Sequence, residues 1–337
     1  MKAIIPVAGA GTKLRPHTYT QPKALIPLAG KTILSIIVDQ LHEAGINEFI
    51  FIVGYLGDKI QDYVRERYPQ LQSHFVTQSE RQGIGHAIML TRNLVGDDEV
   101  FIVLGDSICE YNVQDVVNNE HSMVGLKRVD DPRDFGVAEI NEEGFVSKVV
   151  EKPQIPKSNM ALVGIYRIKE SGVLFSCLEN NIQKQLRSRG EYNLTDALEC
   201  MIQRGCKIQP YKVQNWFDCG KKESLLESNA TLLKKFGHVI AENQQFENAI
   251  IIPPVSIASG CDIKNSIIGP NVAIGENVSI SYSIVRNSII GGFADLNDIV
   301  LTDSLIGSDT ELKGESRSLN IGDNTAIDLS GSGAGLS

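Results

Sequence analysis

Three cationic side chains follow a glycine-containing turn near the start of the 337-residue chain. The turn is Gly9-Ala10-Gly11-Thr12, and the cations after it are Lys13, Arg15 and Lys23. Glycines that follow a strand let the backbone approach a ligand closely and turn its N–H groups towards an anion. Lysine and arginine neutralise phosphate oxygens. The stretch therefore predicts a polyphosphate site, and a tight turn between strand and helix is the simpler alternative for the glycines alone.

A carboxylate stands at the end of a second predicted strand. The segment Val100–Leu104 is apolar throughout and is followed by Gly105 and Asp106. A carboxylate just past a buried strand is well placed to hold a divalent cation. A turn or cap aspartate is the alternative interpretation of the same residue.

A third segment, Gln78–Ala87, carries two glycines in the sequence QSERQGIGHA. Gly83 and Gly85 stand at the start of a predicted helix, His86–Leu94, so a flat ligand could lie close to the backbone there. An ordinary helix N-terminus would also explain them.

The elements around these segments alternate between strand and helix. Apolar runs predict strands at Ala3–Val7, Phe49–Val53 and His74–Thr77, and helical spacing of apolar residues predicts helices at Thr32–Ala44 and Lys59–Arg67. Such alternation predicts an α/β domain with a mostly parallel sheet. Ligands of such sheets bind at the carboxyl ends of the strands, where the first loop lies.

Composition bounds the class of protein. The chain is 42% hydrophobic and 22% charged, as in ordinary globular proteins, and its length suggests one large domain and one smaller domain. The net charge of −9 argues against general nucleic-acid binding, although a nucleotide site needs only local cations.

Cysteine usage and hydropathy predict a cytoplasmic protein. The six cysteines are scattered, without a CxxC pair or zinc-like spacing, which favours a reduced setting over a disulfide framework. We expect no signal peptide, because the N-terminus runs directly into a strand, and no membrane contact, because no apolar run reaches spanning length.

The composition changes after about residue 250. Short segments with the spelling Ile-Gly-x-Asn/Asp recur, and apolar residues such as Ile268, Ile274 and Ile280 stand six apart. The pattern resembles the hexapeptide motif of left-handed β-helices, with a β-sandwich as the alternative. We therefore predict a catalytic domain at 1–237, a linker at 238–249, a short left-handed parallel β-helix at 250–328 and a flexible tail at 329–337.

The N-terminal stretch resembles the signature of sugar-1-phosphate nucleotidyltransferases. The family pattern is roughly Ala-Gly-x-Gly-Thr-Arg-Leu-x-Pro followed by Pro-Lys, and this chain has AGAGTKLRP at 8–16 and then Pro22-Lys23. The chain departs from the pattern at Lys13, where the family usually carries an arginine. Lysine offers a point charge in place of a two-pronged donor.

The resemblance implies a Rossmann-like domain and a set of site residues. Those implied for the nucleotide are Ala8, Gly9, Gly11, Thr12, Gln78 and Gly83. Those implied for the sugar phosphate are Gly136, Glu151, Lys152, Gly164 and Glu191. Asp106 and Asp218 are implied as ligands of Mg²⁺. The spelling Gly-Ile-Gly-His-Ala favours a pyrimidine nucleotide and leaves uridine and thymidine open.

The implied reaction is nucleotidyl transfer from a nucleoside triphosphate to a sugar 1-phosphate. The implied catalytic residues are Lys13, Arg15, Lys23 and Asp106. Lys23 would stabilise charge on the α-phosphate, and Lys13 and Arg15 charge on the leaving pyrophosphate. Glucose 1-phosphate with dTTP or UTP is the best match to the sequence of the segment Gln78–Ala87.

Some residues in or near these motifs are interpreted as structural. Thr195 is interpreted as a possible helix N-cap, Asp196 as structural, Trp216 as packing that fixes its loop, and 128–134 as a solvated connection.

Two alternatives stay open. Lys13 favours a non-catalytic, regulatory relative, whereas Lys23, Asp106, Lys152 and Asp218 argue for an enzyme. An acyltransferase on the β-helix is disfavoured, because all histidines precede residue 250. A β-helix this short is expected to serve homo-oligomerisation.

Overall fold

The strand Lys2–Pro6 (β1) lies inside a mixed sheet of nine strands in the computed structural model, which describes residues 1–242 and 245–314. The first part of this domain adds three strands of the sheet, Glu48–Val53 (β4), Gln72–Thr77 (β5) and Val100–Val103 (β6). It also has three strands outside the sheet, Pro27–Leu28 (β2), Lys31–Thr32 (β3) and Ser107–Glu110 (β7). The helices between them are Ile33–Glu43 (α1), Gly57–Arg67 (α2), Ile84–Met89 (α3) and Arg92–Val95 (α4).

The second part of this domain completes the sheet. The strands that it adds to the sheet are Ser122–Arg128 (β8), Gly136–Ile140 (β9), Val146–Glu151 (β10), Met160–Ile168 (β11) and Ile208–Lys212 (β12). A further strand, Asn215–Asp218 (β13), pairs with β7 outside the sheet. The helices of this second part are Val113–Val117 (α5), Ser171–Gln183 (α6), Leu194–Gln203 (α7) and Lys222–Phe236 (α8).

The predicted α/β architecture is confirmed, and the sheet is mixed. Strands β6, β1, β4 and β5 are parallel, with Ile4 opposite both Ile50 and Ile102. All three side chains are fully buried, which explains why these strands read as continuous apolar runs. Strand β11 joins β6 in the antiparallel sense and carries β8 and β9.

Local signals explain where helix α1 begins. Thr32 is its N-cap: the Thr32 hydroxyl accepts a hydrogen bond from the Ser35 N–H at 3.0 Å, and the Ser35 hydroxyl accepts one from the Thr32 N–H at 3.0 Å. This reciprocal arrangement satisfies two backbone donors that a helix start would otherwise leave free.

The C-terminal region is built from short parallel strands in three sheets, as predicted for a left-handed β-helix. The first sheet holds Val239–Ile240 (β14), Val255–Ile257 (β17), Val272–Ile274 (β20), Ile289–Ile290 (β23) and Leu305–Ile306 (β26). The second holds Gln245–Glu247 (β15), Asp262–Lys264 (β18), Ser279–Ser281 (β21), Asp295–Asn297 (β24) and Glu311–Lys313 (β27). The third holds Ile250–Ile251 (β16), Ile267–Ile268 (β19), Ile284–Arg286 (β22) and Val300–Thr302 (β25).

The β-helix has coils of unequal length and begins earlier than the sequence predicted. Ile250 lies opposite Ile267, Ile267 opposite Ile284, and Ile284 opposite Val300, so a coil takes 17 or 16 residues and not three full hexapeptides. The predicted linker at 238–249 contains β14 and β15, which pair with β17 and β18. The predicted C-terminal end of the β-helix and the tail fall beyond residue 314, outside the described residues.

One face of the β-helix packs on the catalytic domain. Ala273, Ile289 and Leu305 lie in register on neighbouring strands. Ala273 and Ile289 belong to the apolar core of the α/β domain, and the half-buried Leu305 packs against that core. Their chain neighbours Ile274, Ile290 and Ile306 point into the β-helix interior, as strand alternation requires.

A buried asparagine ties the two domains together. Asn229 of α8 is fully buried; its Oδ1 accepts a hydrogen bond from the Ala29 N–H at 2.9 Å, and its Nδ2 donates one to the Asn271 carbonyl at 3.2 Å. The side chain thus satisfies backbone groups of both domains that would otherwise lack a partner.

Two further predictions concern the redox state of the cysteines and the presence of membrane-spanning helices. The structure joins Cys177 of α6 to Cys200 of α7 in a disulfide, where the sequence favoured reduced thiols, and it leaves Cys109, Cys206, Cys219 and Cys261 free. No helix among the described residues is both long and apolar enough to cross a membrane.

We predict that Asn229→Ala lowers the free energy of unfolding by about 2–3 kcal/mol, because it leaves the Ala29 N–H and the Asn271 carbonyl without partners. Urea unfolding monitored by fluorescence of Trp216, the single tryptophan, measures the change. Thr231→Ala on the same helix is the control, since the Thr231 hydroxyl bonds only within the helix. Equal stability of the two variants would contradict the prediction.

Candidate active site

Two adjoining cavities open at the carboxyl ends of the parallel strands, with volumes of about 410 and 300 Å³. We call them the larger and the smaller cavity. They share a wall formed by Gly11, Lys23, Ile84, Leu104 and Asp106. A ligand that fills both cavities must therefore pass beside Lys23 and Asp106.

The first loop reaches the cavities through a left-handed turn. Gly11 has φ +59°, and a Cβ at this position would lie 2.9 Å from Thr18 Cγ2, so only glycine fits. The Thr18 hydroxyl donates a hydrogen bond to the Gly11 carbonyl at 2.8 Å and holds the loop in place. Gly9 has open space on its Cβ side and lines the smaller cavity.

The predicted cations of this loop occupy different places. Lys13 lines the larger cavity, and Lys23 lies on the shared wall. Arg15 lines neither cavity, because its guanidinium lies over the Tyr19 ring, 4.8 Å from the ring centroid. In this structure the lysines, and not the arginine, are the cationic groups of the loop that line a cavity.

An ion pair stands at the shared wall. Lys23 Nζ lies 3.1 Å from Asp106 Oδ2, and the Lys23 side chain is 14% exposed whereas that of Asp106 is 52% exposed. Lys23 comes from the first loop, and Asp106 follows β6, the strand next to β1. Parallel pairing of these two strands is what brings the charges together.

The two aspartates predicted to bind a metal lie side by side. Strands β13 and β7 pair so that Asp218 is opposite Ser107, next in the chain to Asp106. The Cys219 N–H donates to the Asp106 carbonyl at 3.2 Å and joins the two segments. Both carboxylates line the larger cavity.

These donors fit a hard divalent cation. They are carboxylate oxygens, and the described residues contain no group of three or more His, Cys, Asp or Glu side chains that could form a full cage. Mg²⁺ is usually bound through one or two carboxylates and completes its shell with water and substrate phosphates. Asp106 and Asp218 would be the residues that hold it.

The residues predicted to bind the sugar phosphate are mostly brought together. Gly136, Glu151, Lys152 and Gly164 line the larger cavity, whereas Glu191 lies on the wall of the smaller one. Glu151 is held by Thr195, whose hydroxyl donates to Glu151 Oε2 at 2.9 Å.

Lys152 has an unusual backbone conformation for a residue other than glycine. Its φ is +42°, its N–H donates to the Phe135 carbonyl at 3.0 Å, and its carbonyl accepts from Arg189 Nη2 at 2.8 Å. Residues in such conformations persist where the surroundings hold them, often at ligand sites. Here the two hydrogen bonds fix the backbone from which the Lys152 side chain extends.

The residues predicted to bind the nucleotide divide between the cavities. Ala8, Gly9, Gln78 and Gly83 line the smaller cavity, Thr12 the larger one, and Gly11 both. The glycines of the third segment also have a structural reason to be glycine. A Cβ on Gly83, whose φ is +104°, would lie 2.5 Å from the Tyr192 carbonyl.

Several cavity residues carried no functional prediction from the sequence. They are Arg81, Asp134, Phe135, Tyr166, Asn193, Thr195 and Trp216. Asp134 is the last residue of the segment 128–134, which was interpreted as a solvated connection, and Phe135 is the next residue. The Phe135 ring contacts the Trp216 ring, with 4.7 Å between the ring centroids. Thr195 follows the N-cap Asn193 instead of capping the helix itself. No local pattern marks these residues, because strand pairing across the chain brings them to the cavity.

Tyr166 adds a neutral hydroxyl to the larger cavity. Burial, reinforced by the nearby Glu151 carboxylate, raises the pKa of the Tyr166 hydroxyl well above its usual value. The phenol therefore stays protonated at physiological pH and can donate a hydrogen bond to a polar ligand.

Comparison with known proteins places these features in context. The family model described as "Nucleotidyl transferase" matches residues 2–235. The low-salt glycan biosynthesis nucleotidyltransferase Agl11 of Haloferax volcanii is 34% identical over 69% of this chain, and the match spans 66% of Agl11, just under two thirds of its length. A glucose-1-phosphate thymidylyltransferase of Streptomyces griseus is 31% identical over 94% of this chain and 88% of its own.

A solved structure is similar over the α/β domain. UDP-glucose pyrophosphorylase, determined with UDP-glucose bound, superposes with a TM-score of 0.61 at 26% identity. The match covers 69% of this chain and 98% of that chain.

We predict that Cys219, which follows Asp218 in the chain, resists alkylation in the native protein. Burial raises the pKa of the Cys219 thiol to about 12 and outweighs the opposing effect of Lys23. A raised pKa means a protonated thiol at mildly alkaline pH, so reaction with iodoacetamide near pH 8.5 should be about 1,000-fold slower than for a free thiol. Peptide mass spectrometry measures the rate, with the half-buried Cys206 as the internal comparison. Labelling of Cys219 as fast as Cys206 would contradict this.

Proposed function

Because the chain belongs to the nucleotidyl transferase family, and is therefore a nucleotidyltransferase, we propose that it joins a sugar 1-phosphate to UTP or dTTP and releases pyrophosphate. Glucose 1-phosphate is the proposed sugar substrate. The similar proteins include a glucose-1-phosphate thymidylyltransferase and a UDP-glucose pyrophosphorylase, which supports this substrate class. The observation that carries the proposal is the shared wall, at which Lys23 and Asp106 stand between the two cavities.

The two cavities suit the two halves of such a product. The smaller cavity has apolar walls from Val7, Ala8, Ile84 and Ala87 and a single buried amide, Gln78, which fits a base. The larger cavity has polar groups such as Glu151, Tyr166 and Asn193, which fit a sugar that carries hydroxyl groups. The phosphates would then meet at the shared wall.

The chemistry needs positioning and charge neutralisation more than a base. A phosphate monoester is already an anion, so its oxygen can attack the α-phosphorus without losing a proton to a side chain. The protein must overcome the repulsion between two anions and hold them in line. Lys23, at the shared wall, would stabilise charge on the α-phosphate, and Lys13 would neutralise the leaving pyrophosphate.

The sugar phosphate would be held from the other side. Lys152 would pair with its phosphate, and Glu151, oriented by Thr195, would accept hydrogen bonds from sugar hydroxyls. Arg15 is retained as a candidate for pyrophosphate binding, which requires that its side chain leave the Tyr19 ring.

Mg²⁺ is the proposed cofactor. When bound, it would supply Lewis-acid charge neutralisation on the phosphates. Asp106 and Asp218 would hold it, and the Cys219 N–H keeps the two segments together.

We also propose that the chain forms homo-oligomers through its β-helix. Ile250, Ile267, Ile284 and Val300 form an outward-facing apolar row on the third sheet. Ile250 is 58% exposed and Val300 is 70% exposed. The row resembles the one formed by Ala273, Ile289 and Leu305, which packs on the catalytic domain, and a second copy of the chain would bury it.

The reaction is tested by incubating the purified protein with Mg²⁺, one sugar 1-phosphate and one nucleoside triphosphate, and by measuring pyrophosphate release. We expect release with glucose 1-phosphate and with UTP, dTTP or both. Release with another sugar phosphate would keep the chemistry and change the substrate. Silence across a panel of all common triphosphates and sugar phosphates would contradict the proposal and favour a regulatory relative marked by Lys13.

We predict that Asp106→Asn and Asp218→Asn each lower kcat by about 100-fold or more, because each removes a charged ligand of the catalytic cation. Each should also raise the Mg²⁺ concentration needed for half-maximal rate. Asp303→Asn, on an exposed β-helix turn, is the matched control and should leave both values unchanged. Full activity of either cavity variant would remove that residue from the metal site.

For the oligomer, we expect Val300→Asp to shift the mass measured by light scattering after gel filtration towards that of the monomer, because it places a charge in the apolar row. Asp303→Asn again serves as the control. A monomeric wild-type protein would contradict the proposed oligomer.

A further inference from the structure

Strand β10 carries the residues proposed to hold the sugar phosphate, and it lies at the edge of the nine-stranded sheet. Glu151 is its last residue, and Lys152 follows directly. The strand pairs with β9 on one side. On the other side, an edge strand presents backbone groups that the sheet does not pair. Whatever holds that free side therefore also determines how well the two side chains are placed.

The pairing of β10 with β9 is irregular shortly before the site. Val146 lies opposite Ile140 and Lys148 lies opposite Glu139, so two residues of β10 advance against one of β9. Such a bulge disrupts the ladder locally and bends its strand. Because successive side chains of a strand point to opposite faces, a slip of one residue would turn Glu151 away from the cavity. The strand therefore needs an anchor between the bulge and the site.

Helix α7 supplies hydrogen bonds to β10 at two points. The Val149 N–H donates to Glu199 Oε2 at 2.8 Å. The other oxygen, Glu199 Oε1, accepts from Gln203 Nε2 at 3.2 Å, which orients the carboxylate. Two residues further along the strand, the Thr195 hydroxyl donates to Glu151 Oε2 at 2.9 Å. One bond thus holds the backbone of the strand, and the other holds the side chain that faces the cavity.

The spacing of the two contacts is the same on the helix and on the strand. Thr195 and Glu199 stand four residues apart on α7, so they lie on the same face of the helix. Four residues of helix rise about 6 Å. Two residues of strand rise about 6.6 Å. The two side chains can therefore bind positions 149 and 151 together, without a bend in either element.

We infer that Glu199 is a positioning residue for the sugar 1-phosphate. It holds the register of β10 after the bulge, so that Glu151 and Lys152 stay directed at the larger cavity. The inference rests on the proposed function, which assigns these two residues to the sugar phosphate. Glu199 lines neither cavity, and it acts only through the strand.

The first test compares two KM values, one for the sugar 1-phosphate and one for the nucleoside triphosphate that the wild type uses. Glu199→Ala removes the acceptor and should raise KM for the sugar phosphate about 3- to 10-fold, the effect of one hydrogen bond. KM for the triphosphate should stay within about 2-fold. Glu199→Gln keeps an oxygen that can accept from the Val149 N–H and should return both values to within about 2-fold of the wild type. Glu227→Ala, which removes an exposed glutamate of α8, is the control.

The second test measures the hold on the strand without any turnover. Amide hydrogen exchange, followed by mass spectrometry, is compared for the peptide at 146–152 in the same variants. Glu199→Ala should speed exchange of this peptide about 3- to 10-fold, because the Val149 N–H loses its acceptor. Glu199→Gln and Glu227→Ala should exchange as the wild type does.

The outcomes separate positioning from damage to the fold. An unchanged KM for the sugar phosphate in Glu199→Ala would overturn the inference, and so would equal increases in both KM values. A KM in Glu199→Gln as high as in Glu199→Ala would also overturn it. If the wild type turns over no pair of substrates, the proposed function has failed. Hydrogen exchange then decides, and an unchanged rate at 146–152 in Glu199→Ala overturns the inference.

Discussion

The ion pair between Lys23 and Asp106 is the contact on which the site depends. The two residues belong to segments far apart in the chain, and they meet because β1 and β6 are neighbouring parallel strands. A lysine beside a half-exposed carboxylate places a positive and a negative charge next to each other in the site. The lysine can receive a phosphate and the carboxylate can receive a cation, which is what the union of two anions requires.

The loops around this ion pair are held in place mainly by hydrogen bonds to one another. Two hydrogen bonds join the segment Gln78–Ala87, proposed to contact the base, to the segment at 188–193. The Gly85 N–H donates to the Tyr192 carbonyl at 2.7 Å, and the Tyr192 N–H donates to the Gln82 carbonyl at 2.8 Å. On the opposite side, Arg189 holds the Lys152 carbonyl. The segment at 188–193 therefore contacts both the loop proposed for the base and the backbone of the lysine proposed for the sugar phosphate.

Much of the architecture could be predicted from the sequence, because it depends on local patterns. The apolar runs of β1, β4 and β6 mark buried parallel strands, and Thr32 marks the start of α1. Lys23 and Asp106 could be assigned to one site because the motifs that contain them resemble those of sugar-1-phosphate nucleotidyltransferases. The β-helix was visible in its repeats, but its coil of 17 or 16 residues was not, since coil length follows from how the turns stack.

The remainder depends on pairing between distant segments. Thr195 orients Glu151 across a sequence separation of 44 residues, and neither residue type predicts the contact. Arg15 matched the expected charge pattern but lies over Tyr19, because an exposed guanidinium can stack on a nearby ring. The packing role of Gly83 against Tyr192 was likewise hidden, since a glycine required by a ligand and one required by a neighbouring chain look alike in the sequence.

The most direct measurement is a crystal structure of the protein with Mg²⁺ and UDP-glucose. We expect the base in the smaller cavity beside Gln78, the hexose in the larger cavity between Gly136 and Gly164, and the phosphates at the shared wall within reach of Lys23 and Asp106. A base bound in the larger cavity, or phosphates held away from Lys23 and Asp106, would contradict the assignment of the two cavities.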